Sequence, residues 1–343
     1  MDILNNAVIT YDCIKASVDV TEKELSDFSV EKGDILFQRS SETLEDVGRA
    51  NVYMDDKTAV FGGFVIRGKK KGEYDPQYFN YLLRSPFARK RIIPMGAGAQ
   101  HFNIGQEGLS KVKLHFANIE EQKKIGKMLS LLDERIATQN KIIEDLKKLK
   151  VAIIEKLYSE IQGKEYSYGQ LFEVVNDRNK QMEFSNILSA SQEKGMVNRD
   201  DLNLDIQFER SNINTYKIVR AGDYVIHLRS FQGGFAFSDK SGVCSPAYTI
   251  LRPNSFLEYG YLSHYFTSHR FIKSLIIVTY GIRDGRSINV DEWLSMKITI
   301  PSKEHQQYIV KVIESFERKI KNEEAYATHL SIQKQYLLRQ MFI

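Results

Sequence analysis

The sequence predicts an α+β protein: two mixed α/β domains separated by two long helices that pair antiparallel, the whole chain forming a pseudo-twofold internal repeat. Three observations carry this. The stretch IEEQKKIGKMLSLLDERI at Ile119–Ile136 returns as KEHQQYIVKVIESFERKI at Lys303–Ile320, 184 residues on, and the offset holds without a gap to the chain end. Both copies carry apolar residues at the alternating four-three spacing of a heptad seam. The segments ahead of the copies follow one plan of strand, turn, short helix, glycine-rich loop and apolar segment.

The chain is long enough for this. Its 343 residues suit two globular domains and a connector, and a 42% hydrophobic content supports real cores. The net charge of +4 permits nucleic acid as a partner without demanding it. Two cysteines, Cys13 and Cys244, are too few and too far apart for a disulfide framework or a zinc cluster. No basic-then-apolar leader and no long apolar run is visible, so the expectation is a soluble cytoplasmic protein.

In the first helix the seam is Ile125, Leu129, Leu132, Ile136, Ile143, Leu146, Ile153 and Leu157, broken by Gln139 and Lys150. In the second it is Ile309, Ile313, Phe316, Ile320, Ala327, Leu330, Leu337 and Met341, broken by Glu323 and Lys334. The breaks fall at equivalent places. A helix of about 40 residues spans about 60 Å, more than the width of one such domain, so each seam needs the other. The chain leaves along the first helix and returns along the second, which predicts an antiparallel pair. A buried polar residue is tolerated only where a partner answers it, so the matching breaks are expected to set the register.

The globular segments correspond loosely. Gly33-Asp34-Ile35-Leu36 and Gly222-Asp223-Tyr224-Val225 each open a strand, followed by Gln38-Arg39-Ser40-Ser41 and Leu228-Arg229-Ser230. A short aromatic helix is expected over Pro76–Arg91, with Asp75 as N-cap and Pro76 at the first helical position, and over Leu257–Ser274. Glycine-rich loops follow at Met95–Ala99 and Gly281–Arg286, then alternating apolar residues at Val112–Phe116 and Met296–Ile300. The expected boundaries are a first domain over 1–116, a spacer helix over 117–162, a second domain over 163–300 and a second helix over 301–343.

With these features in this order, twice, the chain resembles the specificity subunits of type I restriction-modification systems over essentially its whole length. The residues that carry the resemblance are the helix entries Phe116-Ala-Asn-Ile-Glu-Glu-Gln122 and Ile300-Pro-Ser-Lys-Glu-His-Gln306, the seams behind them, the Gly-Asp strand starts, and the pairs Asn103-Ile104 and Asn289-Val290. Ala117 departs from the family pattern, standing where Pro301 stands in the second copy. The resemblance implies a non-catalytic DNA reader in which each domain is a target-recognition domain for half of a bipartite double-stranded target. It implies docking of two modification subunits, which hold S-adenosylmethionine and methylate adenine. It also implies restriction subunits, which use ATP and Mg.

A catalytic reading has little support in the residues. No two prolines are adjacent, so the Asn- or Asp-Pro-Pro-aromatic turn that holds a flipped adenine is missing. Gly281–Ser287 has neither the spacing nor the lysine of a phosphate loop, Gly96 and Gly98 lack a third glycine, and no HExxH metal set occurs. For DNA contact, Arg reads guanine and Gln reads adenine in the major groove, and glycine lets backbone approach phosphate. The candidates are Arg39, Gln38, Gln100 and His101 in the first domain, and Arg229, Gln232, Arg283 and Arg286 in the second. Lys69-Lys70-Lys71 is expected to be an exposed turn touching phosphate at most. The competing class is a coiled-coil scaffold joining two protein-binding domains with no DNA role.

One asymmetry remains. Gly163 to Gly222 is 59 residues, whereas Met1 to the corresponding Gly33 is 32, so the first domain is expected to be incomplete at its N-terminal side. It lacks a counterpart of Gly169–Val175, and the apolar face and strand edge left open are expected to invite self-association.

Overall fold

Each long helix begins at a capped turn. The Asn118 side chain accepts from the Glu121 backbone N–H at 3.1 Å, and the Ser302 hydroxyl accepts from that of His305 at 3.4 Å. Behind these caps run Ile119–Ser159 and Lys303–Met341, 41 and 39 residues of helix. The computed structural model describes residues 2–98, 100–191, 194–201, 210–227, 234–280 and 287–342. The chain divides into two compact units linked by the long helices: the first holds Met1–Ile142 with Glu323–Ile343, the second Ile143–Asn322. Each long helix thus contributes one part to each unit.

Within each unit the two helix segments run antiparallel. In the first, Asp133 meets Lys334 and Gln139 meets Glu323; in the second, Lys150 meets Glu317. The seam side chains named above are all buried or half-buried, with Leu129, Ile309 and Ile313 almost fully enclosed. Toward the helix ends the buried stripe widens to Ile154 and Tyr158 on one helix and Leu338 and Phe342 on the other. There the helices meet globular residues as well as each other: Leu129, Leu338 and Phe342 share a core with Tyr78, Tyr81 and Leu82, and Ile309 and Ile313 share one with Tyr261 and Phe266.

Buried glutamines fasten the helix entries. Gln122 donates to the Ala117 carbonyl at 2.7 Å and accepts from the Asp75 N–H at 3.0 Å. Gln306 donates to the carbonyls of Pro301 and Phe256 and accepts from the Glu258 N–H at 2.8 Å. Ala117 therefore serves as well as Pro301, because the tie uses only its backbone carbonyl.

The central sheets share a topology. In the first unit Ile35–Gln38 lies between Ala50–Val52 and Val65–Gly68, with Ile35 opposite Val52 and Gly68. In the second, Tyr224–Ile226 lies between Phe235–Phe237 and Thr249–Pro253, with Tyr224 opposite Phe237 and Leu251. All pairs are antiparallel. The second sheet has a fourth strand, Phe172–Val175, against Thr249–Pro253; among the described residues no strand occupies the corresponding edge of Val65–Gly68. Phe172–Val175 follows a capped turn of helix, Tyr168–Leu171, so Gly169–Val175 holds both helix and strand.

Gly33 and Gly222 have φ of +93° and +100°, a region that favours glycine, and they place Asp34 and Asp223 identically. Each carboxylate accepts a backbone N–H three residues back, from Glu31 at 3.0 Å and from Arg220 at 2.8 Å. Asp223 additionally takes two hydrogen bonds from Arg252 at 3.1 Å each.

Three expected elements differ. Pro76–Arg91 is two helices, Pro76–Arg84 and Pro86–Ile92, because Ser85 precedes a proline, which disfavours helical backbone there. Ser85 is extended at φ −66°, ψ 153° and caps the second helix. Leu257–Ser274 is mostly turns, with a 3-10 turn at Tyr265–Thr267 and one short helix, His269–Ser274, capped by an equally extended Ser268. Val112–Phe116 is not a strand, although Lys297–Ile300 is. The latter pairs with Lys164–Ser167, and among the described residues no segment plays that part for Val112–Phe116.

The cores differ in kind. That of the second unit is aromatic: Trp293 is fully buried and stacks on Tyr168 at 4.3 Å between ring centres, with Phe235, Phe266 and Phe271 around it. The first unit has an aliphatic cluster around Val47, Leu83, Ile92 and Ile104, beside the Tyr78, Tyr81 and Phe342 cluster that meets the helices.

Candidate nucleic-acid interface

In the first unit the strand Ile35–Gln38 delivers Gln38 and Arg39 to the top of the sheet, and the chain turns at once into the short strand Ser40–Ser41. That strand pairs with Phe102–Asn103, Ser40 opposite Asn103 and Ser41 opposite Phe102. The Ile104 N–H donates to the Arg39 carbonyl at 2.9 Å, and Ser40 and Asn103 also share a side-chain hydrogen bond. One ribbon therefore joins the Gln38-Arg39 turn to the Gln100-His101 loop. By ladder position Arg39 lies opposite Ile104, about 10 Å along the ribbon from His101.

Arg39, Gln100 and His101 are exposed. Gln38 is half-buried: its amide N–H donates to the Ser40 carbonyl at 2.8 Å, while its side-chain oxygen is buried without a partner. Gln38 thus shapes the turn that presents Arg39, and one of its two donors is already committed.

The loop that carries Gln100 and His101 depends on Gly98, at φ +145°. A Cβ there would lie 2.0 Å from the His101 carbonyl oxygen, an overlap with backbone that nothing can yield to. Ala97 and Asn103 close the loop with two backbone hydrogen bonds of 2.9 and 2.8 Å. Lys69, Lys70 and Lys71 are exposed, with Lys69 3.9 Å from Glu31 and Lys70 over the Tyr74 ring.

Arg229, Gln232, Arg283 and Arg286 lie outside the described residues. Their flanking strands are described: Ile226 pairs with Phe235, and Thr279 with Ile288. His227, beside the first of these segments, is half-buried against Tyr248, and burial holds its pKa below the usual histidine value. Lys217 reaches the Tyr248 carbonyl at 2.8 Å, so its charge also lies on this side of the unit.

Sequence reasoning missed the acids of the helix pair. Asp133 accepts from Lys334 and from the Tyr81 hydroxyl at 2.8 Å; Glu317 accepts from Lys150 at 2.7 Å and lies 3.5 Å from His264 Nε2. Neither acid is on the apolar seam. Both occupy the same place in their copies, next to the seam residues Leu132 and Phe316.

The family model for the type I restriction modification DNA specificity domain matches residues 1–148 and 162–329. The chain belongs to that family. It is 24% identical over 327 residues to the MjaX type I restriction enzyme specificity subunit of Methanocaldococcus jannaschii, covering 87% of this chain and 75% of that protein. The MjaVIII specificity subunit of the same organism is 27% identical over 163 residues, 47% of this chain and 36% of the relative. Among solved structures, the HsdS subunit from Thermoanaerobacter tengcongensis has the same fold at TM-score 0.56 and 14% identity, over 91% of this chain and 81% of that one. A chain from a structural study of complex assembly and conformational transition in a type I restriction-modification system matches at TM-score 0.59 and 14% identity, over 92% and 82%. The specificity-subunit family thus accounts for both globular units and both helices, and a scaffold without a DNA role is not favoured.

Proposed function

We propose that this chain is the non-catalytic reader of a type I restriction-modification complex in which each globular unit reads one half of a bipartite double-stranded DNA target. The carrying observation is the repetition itself: the same Gly-Asp turn, the same central strand pairing and the same capped helix entry occur twice within a DNA-specificity family. The reading loops differ in sequence while the frame beneath them is alike, which suits two halves of unlike sequence.

In the first unit Arg39, Gln100 and His101 are the exposed side chains that face bases, and the lysines at 69–71 face phosphate. Arg229, Gln232, Arg283 and Arg286 take these roles in the second. The long helices bind two modification subunits, which bring S-adenosylmethionine and the methyl-transfer chemistry; restriction subunits bring ATP and Mg. The complex works on cytoplasmic DNA. In the described residues no helix is long and apolar enough to cross a membrane.

The test is to purify the chain alone and with its methyltransferase partner. The chain alone should transfer no methyl group, and the complex should bind and methylate one sequence. Methyl transfer by the lone chain, or a complex indifferent to sequence, contradicts the reading.

A further inference from the structure

Away from the reading ribbon, the first unit carries an open cavity of about 270 Å³ whose wall includes Arg49, Arg84 and Arg89. Local folding brings the three together. Arg84 ends the helix Pro76–Arg84, Arg89 sits in the helix that restarts after Ser85, and Arg49 precedes the strand Ala50–Val52.

Their charge is poorly compensated. Arg84 spends donors on the carbonyls of Ala50 at 3.3 Å and Asn6 at 2.8 Å. Arg89 spends one nitrogen on the carbonyls of Glu45 at 2.6 Å and Val47 at 2.8 Å. Its other terminal nitrogen is buried with no hydrogen-bond partner. Among the described residues no carboxylate lies within ion-pair distance of Arg84 or Arg89; only Arg49 has one, Asp46 at 2.8 Å. A buried guanidinium nitrogen without an acceptor carries an uncompensated desolvation cost, and like charges beside it add to that cost. Burial and the neighbouring Arg49 lower the Arg89 pKa to about 10 and move that of Arg84 in the same direction, offset only in part by Asp46 for Arg89 and by Tyr81 and Asp133 for Arg84.

We propose that this cavity binds a phosphoryl group. Three guanidinium groups from three segments supply the forked donors that match phosphate oxygens. The volume falls below the roughly 300–1,000 Å³ of pockets that enclose a drug-sized molecule, so it takes inorganic phosphate or one phosphoryl end of something larger. Apolar walls from Ile3, Leu83 and Ile93 limit competing water. Glu45, exposed at the rim, is the one acid on the cavity wall and opposes an anion.

The phosphoryl group comes either from a free phosphate compound or from a DNA backbone. The test is calorimetric titration of the full chain with inorganic phosphate at constant ionic strength set by chloride. Saturable one-site binding is expected, weakened roughly tenfold to a hundredfold in Arg49→Ala by loss of one charge-assisted hydrogen bond, and tightened in Glu45→Gln. Both positions are exposed, so both variants should fold. No saturable binding, or affinities unchanged in both variants, overturns the proposal. A second arm titrates target duplex into the complex with the methyltransferase partner. If the group is a DNA phosphate, inorganic phosphate competes and Arg49→Ala lowers the salt slope by about one; if it is free, DNA binding is unchanged. Phosphate binding to the lone chain is independent of whether the chain reads DNA.

Discussion

The side-chain amide of Gln139 donates to the carboxylate of Glu323, and at 3.3 Å to its backbone carbonyl, and these two residues are equivalent positions of the two helix copies. The same symmetry relates the flanking ion pairs: Lys150 with Glu317 and Lys334 with Asp133 are one interaction seen from either copy. A polar break in a heptad seam is costly in every register that lacks its partner, so the helices are held in the one alignment where each break is answered.

Gln139→Ala should destabilise the first unit by about 1.5–3 kcal/mol, because it removes a hydrogen bond to a charged group from a buried position. Replacing both Gln139 and Glu323 with leucine should equal or exceed native stability, since an apolar pair needs no matching partner. Urea unfolding of the single and double variants measures both effects. A destabilised double leucine variant would mean that the pair contributes net stability rather than register.

Leu132 lies half-buried on the seam within the same unit. Leu132→Asp places a carboxylate there with no donor to meet it, at a cost of several kcal/mol. The expected result is loss of co-purification with the methyltransferase subunit while circular dichroism keeps the strand signal. Normal assembly by this variant would show that the seam is not what partners depend on.

Gly98→Ala should disturb the loop carrying Gln100 and His101, since the added methyl meets the His101 carbonyl. Strain of this kind costs about 1–3 kcal/mol, and the larger effect should be on DNA binding by the first unit. Competition binding with duplexes altered in one half at a time reads this out. Unchanged discrimination in both halves would remove the 97–103 loop from the interface.

His227 and His264, both in the second unit, have pKa values held below the usual 6.5, in each case first by burial. For His264 the nearby Glu317 partly offsets burial, and Lys150 adds to it. The unfolded chain therefore takes up these protons at a higher pH than the folded one. Stability is fully present above about pH 6.5 and is lost as pH falls from there through the folded values. Urea midpoints at pH 7.5 and 5.5 should show this loss, and His227→Gln should reduce it; a midpoint that rises on acidification contradicts the assignment.

The long helices were legible in the sequence because a heptad constrains every third or fourth residue over many turns, and the second copy repeats even its exceptions. The partners of Lys150 and Lys334 were not, because Glu317 and Asp133 sit beside the seam, where periodicity says nothing about which acid reaches across. The central strands could be read from the Gly-Asp turns that open them. The break at Ser85 was signalled by Pro86, yet Ser268 makes the same break without a proline, through its capping hydroxyl alone. Val112–Phe116 alternates like a strand but forms none, since alternation marks a candidate and only a partner makes a ladder. At the candidate interface the sequence named residue types suited to bases. That Gln38 is half committed to its own turn depends on hydrogen bonds no pattern reveals.

The measurement that tests the central claim most directly is a map of methylated adenines in DNA modified by the complex of this chain with its methyltransferase partner. It should be made for the native chain and for one in which Arg39, Gln100 and His101 are all replaced by alanine. The account predicts a two-part motif with a fixed gap, and relaxation of one half alone in the variant. A motif in one block, or an unchanged motif in the variant, would contradict it.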